Sequence, residues 1–134
     1  MKSELHTRPG FRVTTQAYFC LMLTHFALFT GGFPQLYRLV SGWRPRKQKK
    51  SREIDCKSFM QSVETACLFY FRRVRCLQYA AALVCLLRLH GVPAELVIGV
   101  AQNPFASHAW VELDGIIIAG ADADQEHLQE IDRL

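Results

Sequence analysis

The hydrophobic period of this chain changes once, at Pro93, and that change limits the folds open to it. Before Pro93 apolar residues recur every three to four positions; after it they alternate or run as β-branched blocks. A helix buries a stripe at the first spacing, and a strand buries one face at the second. Helices that precede strands, rather than alternating with them, predict an α+β domain with a helix packed on a small antiparallel sheet. Leu77 to His90, LQYAAALVCLLRLH, is the strongest helix in the sequence, rich in Ala and Leu. Its stop signals come in order: His90 in the last turn, Gly91 just past the end, then Pro93.

Beyond Pro93, AELVIGVA at 94–101 reads as a strand and QNPFAS as a loop. HAWVEL alternates, Asp114-Gly115 signals a hairpin turn, and IIIAG returns. The tail DADQEHLQEIDRL reads as a short acidic helix. Upstream, residues 14–30 form an apolar helix stopped by Gly31-Gly32, and Pro34 opens a short second one through Leu36, Leu39 and Val40. Asp55 caps a further helix carrying Phe59, Val63, Cys67 and Tyr70. No Gly or Pro separates it from the Ala-Leu helix, so one long helix over 56–90 stays open. At 134 residues the chain is expected to be one compact domain. Within it, 1–54 is a helical N-terminal segment with a basic linker, and 55–134 is the core.

Composition removes several classes of function. The five cysteines are an odd number without CxxC spacing, so neither a disulfide framework nor a zinc site is indicated. Reduced thiols of a cytoplasmic protein, with no metal, are expected. The net charge of +4 is modest and gathers in WRPRKQKKSR at 43–52, a solvated linker rather than a nucleic-acid surface. Val13 to Tyr37 holds no Asp, Glu, Lys or Arg, but Thr24, His25, Gly31, Gly32 and Pro34 interrupt it. It reads as a buried helix; membrane contact through 14–40 is the less favoured option.

Chemistry enters at Cys76, which opens the Ala-Leu helix after Arg72, Arg73 and Arg75. Free amides at a helix start and nearby guanidinium groups both favour a thiolate. His108 opens a strand on the far side of a loop, where a base for that thiol is wanted. Alone, Cys76 is one more small apolar residue and His108 a strand-end histidine. In sequence order, as cysteine on helix, strand, then histidine on strand, they make a stronger pair. Trp110 shares the face of His108 and is a candidate floor for a substrate site; Glu112 on that face reads as exposed. Cys20, Cys67 and Cys85 read as packing. Cys85 stands nine residues from Cys76, about half a turn round the helix. His25 reads as a core histidine, and His90 as a partner of the helix C-terminus.

CLQYAAALVCLLRLHGVPAELVIGV followed by PFASHAWVELDG resembles the lasso-peptide biosynthesis leader peptidases, the microcin-type maturation proteins, over about residues 70–120. The resemblance implies a transglutaminase-like, papain-like cysteine-protease fold. It implies hydrolysis of the leader from a ribosomally made precursor without a cofactor, with Cys76 as nucleophile and His108 as base. It also implies two partners besides the precursor: a separate small leader-binding protein and an ATP-dependent macrolactam synthetase. Many relatives place an aspartate twelve residues after the histidine, where this chain has Gly120. A three-residue loop of Leu113, Asp114 and Gly115 is expected to set Gly120 opposite His108 and Asp122 diagonal to it, which makes Asp122 the preferred third residue over Asp114. A backbone carbonyl orienting the imidazole is the other option. A non-catalytic binding scaffold and an amide-forming acyltransferase are the alternatives to a peptidase.

Overall fold

The computed structural model describes residues 11–42, 56–70, 74–102, 105–120 and 128–134. Three helices, α1 (Phe11–Gly42), α2 (Cys56–Leu68) and α3 (Cys76–Leu89), precede four strands, β1 (Glu95–Gln102), β2 (Phe105–Leu113), β3 (Ile116–Ala119) and β4 (Gln129–Arg133). Asp55 and the basic run lie outside the described residues. α1 breaks where the glycines stand: Gly32 takes φ 66° and ψ −154°, and Pro34 opens the following turn. The option of one helix over 56–90 is not taken. Phe69 and Tyr70 close α2 with amide bonds back to the Ala66 and Cys67 carbonyls. Tyr70 is buried there, its ring against Tyr18 and His25 of α1.

α3 is the centre of the molecule. Every residue from Ala80 to Leu87 is buried, and the inner side of α1 (Ala17, Cys20, Leu21, Leu36, Val40) packs into the same core. Gln78 donates from Nε2 to the Leu21 carbonyl at 3.2 Å, tying α3 to α1 inside that core. The helix ends on Gly91 at φ 84°, with Gly91 N–H donating to Arg88 and Val92 N–H to Leu87. That pair of bonds is a Schellman motif, which needs a left-handed residue at the glycine position. Arg88 then joins four parts of the fold. It donates from Nη1 to the Val40 carbonyl (2.6 Å), from Nε to Ala94 (3.0 Å) and from Nη2 to Leu134 (2.9 Å).

The sheet is antiparallel with order β3-β2-β1-β4. Leu96, Ile98, Ala109, Val111 and Leu113 join the helical core, whereas Trp110 and Val97 are buried on the opposite face. Two expectations are corrected. The hairpin uses a two-residue turn, Asp114 (φ 53°) and Gly115 (φ 79°), with Leu113 paired to Ile116. A register shift at Val111/Glu112 then sets Val111 opposite Ala119. Gly120 therefore lies beside Trp110, not opposite His108; a Cβ on it would meet Trp110 Cα at 3.1 Å. The two-residue turn wins because both its residues take positive φ, which matches the twist of the strands.

The tail, expected as an acidic helix, ends in strand β4, with Val97 opposite Arg133 and the Leu96 and Leu134 backbones exchanging bonds. Gln, Glu and Leu favour a helix locally, but the outer edge of β1 offers unpaired amides and carbonyls that a strand satisfies. Arg133 fixes the register through Glu95, Glu112 (2.8 Å) and Glu130 (3.0 Å).

Candidate active site

Cys76 is the first residue of α3 and is exposed. Arg75 before it is extended (φ −87°, ψ 163°) and contributes no side-chain cap, and the first backbone bond inside the turn is Tyr79 N–H to the Arg75 carbonyl. The opening amides of α3 therefore have no partner from the helix itself. His108 stands in β2 opposite Gly99. Since β3 ends at Ala119, opposite Val111, the imidazole lies past the end of that strand, and its Nε2 meets the Gly120 carbonyl at 2.5 Å. A carbonyl only accepts, so Nε2 carries the proton and the lone pair of the neutral ring is on Nδ1.

Two hollows meet at this point, and Cys76 and His108 line both. One, of about 410 Å³, is shared with Cys67, Arg75, Tyr79 and Gly120. The other, of about 300 Å³, is shared with apolar side chains from α1, α3, β1 and β4. The structure thus brings the two sequence-predicted residues to one cleft. No hydrogen bond joins them among the described contacts, and in catalytic pairs that bond commonly tightens only when substrate is bound.

Other expectations fare differently. Trp110 lines neither hollow; it is buried behind His108, the rings 6.2 Å apart and 25° from parallel. It lies over Gly99, where a Cβ would sit 2.7 Å from the indole. Glu112 is buried rather than exposed. It accepts from Trp110 Nε1 at 2.9 Å and from Arg133. Burial works to raise its carboxyl, but the hydrogen bonds from Trp110 and Arg133 and the Arg133 charge outweigh it and hold Glu112 below the ordinary carboxylate range. Cys67, read as packing, shares the larger hollow with Cys76. Asp114 is at the hairpin turn, away from both hollows, and Asp122 lies outside the described residues. His90 caps α3 and meets Gln16 Oε1 at 2.7 Å. The role of Gly120, whose carbonyl holds the imidazole, had only one sequence signal: it fills the position where many relatives have an aspartate.

A cysteine at a helix start beside a histidine on an antiparallel sheet is the arrangement of one broad class of fold. The chain belongs to the transglutaminase-like superfamily, whose family model matches residues 20–133. Over 56 residues it is 43% identical to the microcin J25-processing protein McjB of Escherichia coli, an alignment that covers 42% of this chain and 27% of that protein. Among solved structures it is similar to a chain from Cytophaga hutchinsonii provisionally named a cysteine protease. That likeness has a TM-score of 0.38 and 15% identity, covering 99% of this chain and 47% of the other.

Proposed function

We propose that this chain is a cysteine peptidase that removes the leader from a ribosomally made precursor of the lasso-peptide type. The observation that carries the reading is the cleft where Cys76 and His108 meet, with one imidazole nitrogen committed to the Gly120 carbonyl and the other left to act as base. The partial match to a microcin-processing protein supports the substrate class.

In the proposed reaction His108 Nδ1 takes the thiol proton and Cys76 Sγ attacks the carbonyl carbon at the leader–core junction. The opening amides of α3, Cys76 N–H first, stabilise the oxyanion. Collapse of the tetrahedral intermediate breaks the C–N bond. Nδ1 returns the proton to the leaving amine, which is the freed core, and the leader stays on sulfur as a thioester. Water then adds to the thioester with its proton passing to Nδ1, and the thiolate leaves. Nε2–H remains on the Gly120 carbonyl throughout and keeps the ring in one tautomer. A separate leader-binding protein delivers the precursor, and an ATP-using synthetase closes a ring on the freed amine.

The test is incubation of the protein with precursor and leader-binding partner, with Cys76→Ala as control. Two fragments from the parent and none from Cys76→Ala are expected. Undiminished cleavage by the variant rejects the mechanism, and a new amide in place of the free leader acid marks an acyltransferase. Asp122→Asn tests what holds the base. A ring held by the Gly120 carbonyl predicts a loss of about tenfold or less, whereas a triad aspartate predicts a loss of about 10⁴. The glycine at the aspartate position favours one rival, a non-catalytic scaffold; precursor binding without cleavage in the same assay identifies it.

A further inference from the structure

Apart from Cys76 and His108, the residues around the hollow of about 300 Å³ on the α1 side of the cleft take no part in the chemistry above. Phe33 enters it from α1, Leu77 from α3, Ile98 and Val100 from β1 and Ile131 from β4. None of its lining residues is Asp, Glu, Lys or Arg. Two of its walls are costly to leave in water: Ile131 is 59% exposed and Phe33 41%. The hollow on the other side differs in kind, with Arg75 and Tyr79 in its lining.

We propose that the apolar hollow is a specificity subsite that takes a bulky aliphatic or aromatic side chain from a substrate residue on the acyl side of the scissile bond. The inference rests on the peptidase reading. Three observations carry it. First, Cys76 and His108 themselves form one wall, so a peptide with its carbonyl carbon at Sγ has neighbouring side chains within reach, successive Cα atoms being about 3.8 Å apart. Second, apart from the Cys76–His108 wall and Ser107 the lining is entirely apolar, so an Asp or Lys side chain entering its far part loses hydration with little compensation. Third, a volume of about 300 Å³ is far more than an alanine methyl fills, whereas a Leu or Phe side chain displaces water from both exposed walls. A peptide crossing the pair then has one side chain held in the apolar hollow while the chain runs on past Arg75.

Peptidyl chloromethyl ketones test this without knowledge of the precursor. The Cys76 thiolate displaces chloride from the methylene carbon, forming a thioether and releasing chloride ion. A series of acetyl-dipeptidyl ketones carries Leu, Phe, Ala, Asp or Lys at the ketone-bearing residue, and a second series carries them at the residue before it. Labelling of Cys76 in the full chain is followed by mass spectrometry, and each rate is divided by the same protein's rate with iodoacetamide, which has no side chain to place. Leu or Phe is expected to exceed Asp and Lys by at least about tenfold at one of the two positions, the discrimination typical of a hydrophobic pocket. Ile131→Lys is expected to erase that ratio and to favour Asp; Phe33→Ala is expected to reduce it. Normalised rates indifferent to the side chain in both series, or ratios unmoved in both variants, overturn the subsite. The peptidase reading is tested apart from it, by His108→Ala with iodoacetamide alone: an unchanged rate counts against the cysteine–histidine pair whatever the ketones show.

Discussion

The described thiols occupy unlike surroundings, and that difference predicts which of them reacts. Burial, with the Cys20 thiol beside it and only Arg88 opposing, pushes Cys85 up to about 12, and burial pushes Cys20 up to about 11. Burial and the neighbouring Glu64 also raise Cys67. At pH 8 a thiol titrating at about 11 is roughly one-thousandth ionised, so iodoacetamide should leave Cys20 and Cys85 unmodified in native protein and reach them only on unfolding. Cys76, exposed at the helix start, should react in the native state. Peptide mapping with and without denaturant checks this; early modification of Cys85 would refute the packing. Glu112 gives a prediction in pH. Its folded carboxyl is held below the ordinary range, so its contribution to stability is present above the unfolded value near 4 and is lost as pH falls through the lower folded value. Glu112→Gln should flatten the acid limb of stability against pH below about 4.3, where a free glutamate titrates. Cys76 and His108 were legible because sequence order alone sets a helix start before a strand, although β2 begins at Phe105, inside the stretch read as loop, and His108 stands fourth in it. Glu112 was misread as exposed because its partner Arg133 lies on an element whose kind the local sequence hides.

That element, β4, shows where local reading stops. Its residues prefer a helix, and only the unpaired edge of β1, about 30 residues away in sequence, makes it a strand. The turn at Asp114-Gly115 and the cap at Gly91 were legible because each is fixed by residues within one turn. The register past the hairpin was not, since a one-residue shift at Val111/Glu112 leaves no mark on composition. Gly120 carries the consequence. It stands at φ 80°, with the Ala109 carbonyl 3.1 Å from where a Cβ would be. Gly120→Asp, the apparent repair of the family pattern, should therefore strain the backbone and destabilise by about 1–3 kcal/mol, and it should lower peptidase activity rather than raise it. Denaturant midpoints and precursor cleavage measure the two effects. Arg88 tests how the elements are joined. Arg88→Met keeps the stem but leaves the Val40, Ala94 and Leu134 carbonyls without its three donors, at a cost of about 2–4 kcal/mol with the urea slope unchanged.

Across the whole molecule, the largest apolar side chains left bare on one element are on the outer side of α1. The 25 residues from Val13 to Tyr37 carry no acidic or basic side chain, and α1 is long and apolar enough to cross a membrane. The sequence suggested a buried helix, and half of that holds: one side packs on α3 and α2. The opposite side leaves Phe19, Phe26 and Phe29 exposed, together with Met22 and Leu23, within a sector of about 120° at 100° per residue. A helix apolar on both sides is usually covered on both. The alignment spans only 27% of the length of the microcin-processing relative. The isolated chain still makes a sharp prediction. If the outer side faces water, Phe26→Gln with Phe29→Gln should change unfolding free energy by no more than about 0.5 kcal/mol each, as surface substitutions do, while shortening retention on a hydrophobic column. Leu21→Ala, on the inner side, should cost about 2–5 kcal/mol. A double phenylalanine variant that loses stability on the scale of Leu21→Ala, and shifts from a larger species to monomer in sedimentation, would mean that the outer side is already buried between copies of the chain in solution.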